Sequence, residues 1–165
     1  MGPSIDILVE DERWSAELDL EAFAAEAISA CVKTAGVLVQ RGAEVSFLFT
    51  DDARVRELNS AWRGKDAATN VLSFPAYQPG RLETAQLLGD IALAYETVKN
   101  EADVEGKLFS AHAQHLIVHG ILHLLGYDHE TDSDAHEMET LESRILVGLG
   151  SPDPWRDEPD STEAS

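Results

Sequence analysis

The sequence predicts an α+β domain: one small mixed β-sheet of about four strands, helices packed against it, and a metal site at the end of a buried central helix. Three observations carry that expectation. Four strand-like stretches mix with helix-like ones without strict alternation, the pattern of an α+β domain. One helix-like stretch, AHAQHLIVHGILHLLGYDHE over residues 111–130, is apolar on nearly every side, so it belongs inside. That stretch also holds five of the six histidines, and buried imidazoles need partners.

The elements follow in order. Ile5 to Glu10 alternates apolar and polar residues as a short strand does. Asp19 can cap a helix running to about Thr34, with Leu20, Phe23, Ala24, Ala27, Ile28, Cys31 and Ala35 on one stripe. Gly36 and Gly42 bracket a connection. Val45 to Phe49 is strongly apolar and β-prone, the candidate for a central strand. Thr50 or Asp51 caps a second helix through Val55, Leu58 and Trp62, and helix signals fade at Gly64. Residues 64–70 read as a loop. Val71 to Phe74 resembles a strand closed by Pro75, and residues 75–87, with Pro79-Gly80, read as a loop or hairpin. Residues 89–94 read as a further strand, followed by helical signals from Glu96 to Glu105. The histidine helix begins near Lys107. Ser133 or Asp134 opens a last helix with Met138, Leu141 and Ile145 on its core face. Residues 1–150 thus form one domain. Residues 151–165, SPDPWRDEPDSTEAS, form an acidic tail expected to be disordered.

Composition narrows the class. At 165 residues, 44% of them apolar, the chain can bury a core of its own. Cys31 is the sole cysteine and is expected inside the helix that Asp19 caps, so no disulfide framework exists. The N-terminus shows no basic region followed by a long apolar run, and no stretch approaches bilayer length. A cytoplasmic location without membrane attachment is the expectation. The net charge is −19, and the part from Asp128 onward carries −10 of it. A surface this acidic does not bind nucleic acid all over. A polyanion would have to be recruited locally, where Arg54, Arg56, Arg63 and Lys65 fall within twelve residues.

The histidine spacing is the strongest chemical signal. His112, His115, His119 and His123 form a stripe on a helix. His119 and His123, four apart, present nitrogens from neighbouring turns to one point. Gly126 can take the left-handed conformation that ends a helix, letting the chain turn back and bring His129 to that point. Three histidine nitrogens leave the fourth tetrahedral position open for water, the arrangement of a catalytic zinc site. The pattern H-x-x-x-H-x-x-G-x-x-H is also the ligand spacing of metzincin proteases. Those enzymes place Glu, the general base, directly after the first histidine. Here Gly120 stands there, so a peptidase would need a base from elsewhere.

The segment HGILHLLGYDH, residues 119–129, resembles the signature of the YbeY family, bacterial endoribonucleases of ribosomal RNA maturation. Two further blocks are similar to that family. The first runs from Leu58-Asn59 through Trp62-Arg63-Gly64-Lys65-Asp66 to Thr69-Asn70-Val71-Leu72-Ser73-Phe74-Pro75; the second is Leu88-Gly89-Asp90-Ile91. The likeness spans roughly residues 45–148. It implies one zinc ion per chain on His119, His123 and His129, and a functional arginine that falls on Arg63. It further implies a single-strand-specific endoribonuclease acting on ribosomal RNA precursors, at the 3′ end of 16S RNA and in ribosome quality control. The small ribosomal subunit or its assembly factors would then be partners. A metal ion lowers the pKa of bound water towards about 7 and polarises a phosphoryl oxygen, while a guanidinium grips the charge that builds on phosphorus-bound oxygens. Two other readings stand beside this one: a zinc peptidase-like hydrolase lacking the usual Glu base, and a noncatalytic ribosome-associated factor stapled by zinc.

Other residues have plainer readings. Arg54 and Arg56 fit a solvated helix face, and His115 fits a hydrogen-bonded core histidine. His112 and His136 receive no role. Asp128 either orients a ligand histidine or stabilises the turn before His129. Ser73 and Asp90 fit strand and loop structure as well as chemistry.

Overall fold

A computed structural model describes residues 2–155. Four strands, Ser4–Val9 (β1), Glu44–Thr50 (β2), Val71–Pro75 (β3) and Leu87–Ala94 (β4), form one sheet in the order β1-β2-β4-β3. β1, β2 and β4 run parallel, and β3 pairs antiparallel to β4 at the far edge. Six helices accompany the sheet: Arg13–Glu17 (α1), Leu20–Ala35 (α2), Asp52–Arg63 (α3), Tyr95–Glu105 (α4), Phe109–Leu124 (α5) and Asp132–Gly148 (α6). The α+β architecture with a mixed four-stranded sheet is the expected one.

The sheet is covered on both faces, unequally. Val45, Phe47 and Phe49 of β2, with Ile91 and Leu93 of β4, point into the main core with α2, α5 and α6. Alternate residues of β2 and β4 face the other way, where Leu48, Ala92 and Ala94, with Leu72 of β3, meet Val55 and Leu58 of α3. The expected stripe on α2 is the buried one at Leu20, Ala24, Ala27, Ile28 and Cys31. Asp19 caps that helix by accepting from the Ala22 amide, and Asp51 caps α3 by accepting from Arg54, each contributing about 1 kcal/mol. Pro75 ends β3 on the edge of the sheet, where a missing amide breaks no ladder.

Three details differ from expectation. α1 had no periodic signal, being little more than one turn; tertiary packing holds it. Its fully buried Trp14 donates to the Thr50 carbonyl at 2.9 Å, meets Phe49 and Tyr95 edge-to-face and packs at a tilt on Phe109. α6 starts at Asp132 rather than at Ser133 or Asp134, because Thr131 accepts from the Asp134 amide and acts as its cap. β4 begins two residues before Gly89, and a bulge interrupts its pairing with β2, where Glu44 pairs Leu87 and Val45 pairs Gly89. Gly89 has φ +146°, and a Cβ there would overlap the Phe74 carbonyl and stand 2.7 Å from Leu124 Cδ2. Only glycine lets the last turn of α5 approach the sheet this closely.

α5 is central: α2, α4 and α6 flank it, and β3 and β4 lie beneath it. Cys31 is buried against it as a free thiol, its sulfur 4.0 Å from the Val118 carbonyl. Burial pushes that thiol far up, so it is inert. At the other end of the chain, the first five residues of the expected tail lie on α6. Ser143 donates to Asp153 at 2.7 Å, and the Trp155 indole donates to Glu142 at 2.7 Å. The rest of the tail, residues 156–165, lies outside the described residues. No helix among the described residues is long and apolar enough to cross a membrane.

Candidate metal centre

The bend past Gly126 forms as the spacing requires. Helical geometry stops at Leu124; Gly126 takes φ +104°. The Tyr127 amide then donates to the Leu122 carbonyl at 3.0 Å and the Gly126 amide to His123 at 3.1 Å. This pair of bonds is the Schellman closure, which satisfies carbonyls that the helix end leaves free. The Tyr77 hydroxyl, from the loop between β3 and β4, donates to a further one, that of Leu124. The reversed chain brings His129 back over the helix. Ligand-capable nitrogens of His119, His123 and His129 lie within 4.8 Å of one another. Their ring centroids are 4.7, 5.1 and 5.7 Å apart.

The donor set suits a cation that prefers neutral nitrogen. Glu142 of α6 is buried at 1% exposure and faces two histidines of α5. Its Oε2 accepts from His119 Nδ1 at 2.6 Å, and its Oε1 accepts from His115 Nε2 at 3.0 Å. Burial alone would raise this carboxyl, but the hydrogen bonds from His115 and His119 outweigh it and hold the pKa down at about 2. An ionised carboxylate can only accept, so His119 bears a proton on Nδ1, and in the neutral ring this leaves Nε2 as the atom able to take a metal. His123 is pushed down to about 4, first by burial and then by repulsion from His119 and His129. At neutral pH it is therefore an uncharged imidazole, the form that binds metal. No cysteine lies near, and three histidines leave room for a fourth, exchangeable position.

The cluster borders a cleft of about 1140 Å³ whose other wall comes from the end of α3 and the segment up to β3. Asn59, Arg63, Lys65, Asn70 and Tyr127 line it together with the three histidines. Arg63 is the last residue of α3 before Gly64 turns left-handed. Its guanidinium donates to the Ser73 carbonyl at 2.7 Å and lies 5.4 Å from the Phe74 ring centroid, which fixes its direction. Two members of the basic cluster are neutralised elsewhere: Arg56 pairs with Asp66 at 2.7 Å, and Arg54 with Glu57 and Glu10.

The remaining candidates sort cleanly. His115 is the hydrogen-bonded core histidine of the plain reading. His112, also buried, is bonded to Glu101 at 2.8 Å, and Glu101 in turn holds the Asn70 amide at the cleft wall. Asp128 accepts from the Glu130 amide at 3.2 Å, so it braces the turn. Ser73 donates to the Gly120 carbonyl at 3.3 Å. Gly120 itself packs on the sheet, where a Cβ would come within 3.0 Å of Ile91 and 3.2 Å of Ser73. A side chain there would meet Ile91 and Ser73 at close range. Glu142 was not singled out from sequence, since the hydrophobic spacing of α6 marks its neighbour Leu141 and gives no sign of a carboxylate turned inward.

The family described as Endoribonuclease YbeY matches residues 7–150, a wider span than the motif likeness over residues 45–148. An Endoribonuclease YbeY of Bradyrhizobium diazoefficiens is 51% identical over 161 residues, covering 95% of this chain and 87% of that one. One from Azorhizobium caulinodans is 51% identical over 151 residues, covering 92% and 95%. The solution structure of TM1509 from Thermotoga maritima shares the fold at a TM-score of 0.56, with 23% identity over 93% of this chain and 99% of that one. With this match across most of its length, the chain belongs to the Endoribonuclease YbeY family.

Proposed function

We propose that this protein is a zinc-dependent endoribonuclease that cleaves single-stranded ribosomal RNA precursors, at the 3′ end of 16S RNA and in ribosome quality control. One observation carries the reading: three histidine nitrogens lie within 4.8 Å of one another on a cleft that Arg63 also lines. Relatives named endoribonucleases support the reaction class, and the motif resemblance supports ribosomal RNA as substrate, the small subunit or its assembly factors as partners, and the cytoplasm as location. His119, His123 and His129 would hold one zinc ion per chain. When bound, such an ion lowers the pKa of a water molecule to about 7 and polarises a phosphoryl oxygen.

The chain's own residues do the rest. Glu142 holds a His119 proton on Nδ1, which assigns Nε2 of the neutral ring to the metal, and burial keeps His123 uncharged. Arg63 uses one N–H on the Ser73 carbonyl and has others to aim across the cleft. Two of them can grip non-bridging phosphate oxygens in a fork as negative charge builds there. Lys65 seats the RNA backbone beside it. Gly120 lacks the carboxylate base of the related protease motif, and a Cβ there would stand only 3.0 Å from Ile91 and 3.2 Å from Ser73. That observation sets the nuclease reading above a peptidase.

The test is metal analysis together with single-stranded RNA cleavage for three purified proteins. Wild type should hold one zinc and cleave. His123→Ala should lose both metal and cleavage. Arg63→Ala should keep the metal and lose about 10²–10³ in rate, the scale of removing one charge-stabilising donor. Cleavage by His123→Ala at the wild-type rate would overturn the proposal; normal cleavage by Arg63→Ala would remove that residue's role.

A further inference from the structure

We infer that Glu142 is a positioning residue for the metal centre, and that the segment following α6 completes it through Trp155. The inference rests on the proposal that His119, His123 and His129 hold the ion. A buried ionised carboxylate is destabilising by several kcal/mol unless its oxygens are well hydrogen-bonded. Glu142 is 1% exposed, and three donors converge on it: His119 Nδ1 at 2.6 Å, His115 Nε2 at 3.0 Å and the Trp155 indole at 2.7 Å. Only the first belongs to the histidine trio. The other two occupy Oε1, so the carboxylate is fixed at one oxygen while the other holds His119.

Trp155 is itself held. Asp153 accepts from Ser143 of α6 at 2.7 Å and from the Trp155 amide at 2.9 Å, which closes a turn. The indole then stands edge-on to His115, with ring centroids 5.6 Å apart. Residues from three places in the chain therefore serve one function: they set the ring plane and the tautomer of His119. Partners of this kind typically change metal affinity by 10- to 100-fold.

The experiment measures Zn²⁺ affinity of the full chain by competition with a chromophoric chelator, alongside thermal unfolding of the metal-free protein. Glu142→Gln should bind Zn²⁺ about 10- to 100-fold more weakly than wild type. Trp155→Phe keeps an aromatic ring but removes the N–H, and should weaken binding roughly threefold or more. Should Glu142→Gln fail to fold, Trp155→Phe decides the matter, since its ring lies outside the core. Wild-type affinity in the folded variants, with only a lower unfolding temperature, would mean a purely structural role and overturn the inference. Failure of wild type to bind Zn²⁺ would instead overturn the metal assignment beneath it.

Discussion

At the scale of single residues, the site depends on which nitrogens carry protons. His123 has its pKa pushed down to about 4 by burial first and by His119 and His129 second, against an ordinary value of 6.5. Between those two values the unfolded chain binds a proton at this residue that the folded chain does not. Its stabilising effect is therefore fully present above pH 6.5 and is lost as pH falls towards 4. The unfolding free energy of chelator-treated protein, measured in urea, should drop by about 1–2 kcal/mol between pH 7 and pH 5, the lower figure allowing for partial solvent access. Glu142 stays ionised until about pH 2 and adds nothing over that interval. His123→Ala should remove most of the slope; an unchanged slope would show that His123 is not held neutral. Sequence disclosed these residues unevenly. His119, His123 and His129 were legible because eleven consecutive residues contain the whole motif. Glu142 was not, because its pairing with His119 joins α5 to α6 through space. Arg63 was singled out only by family likeness; that it lines the cleft, held by the Ser73 carbonyl, could not be read from composition.

Among elements, the end of α5 decides where the site forms, and two glycines shape that end by different means. Gly126 needs its positive φ but has open space around a would-be Cβ. Gly89 has a positive φ and no space, with the Phe74 backbone and Leu124 pressed against it. Gly126→Ala should therefore lose about 1–2 kcal/mol of stability in urea unfolding, the cost of a left-handed non-glycine residue. Gly89→Ala should lose about 3 kcal/mol or more, because overpacking adds to strain. Equal losses would mean that α5 does not rest on β4 as described. Periodicity revealed α2 well, with its cap at Asp19, because the local signals coincided with the buried stripe. For α3 it gave the helix and narrowed the cap to Thr50 or Asp51, but of the stripe Val55, Leu58 and Trp62 only Val55 is buried and Trp62 is 73% exposed. It missed α1, whose stability comes from Trp14 packing on residues far along the chain. It also missed the bulge at Gly89, since close approach of another element leaves no local pattern.

For the whole molecule, a net charge of −19 and RNA as substrate are compatible only if the cationic contacts are local. The structure narrows that locality further than the count of bases implies. Arg54 and Arg56 are drawn into ion pairs with Glu10, Glu57 and Asp66, while Arg63 and Lys65 line the cleft beside the histidines. On the proposed reading, recognition would depend on one short stretch of backbone held between α3 and α5, with the acidic exterior repelling RNA elsewhere. The motif made the three histidines legible but not the cleft, which needs the loop after α3 folded against β3. The most direct measurement is a Zn²⁺ titration of chelator-stripped protein with cleavage of single-stranded RNA as the readout. Activity should be absent without metal, rise linearly, and level off at one ion per chain; cleavage at full rate in the stripped protein, or zinc bound without any cleavage, would contradict it.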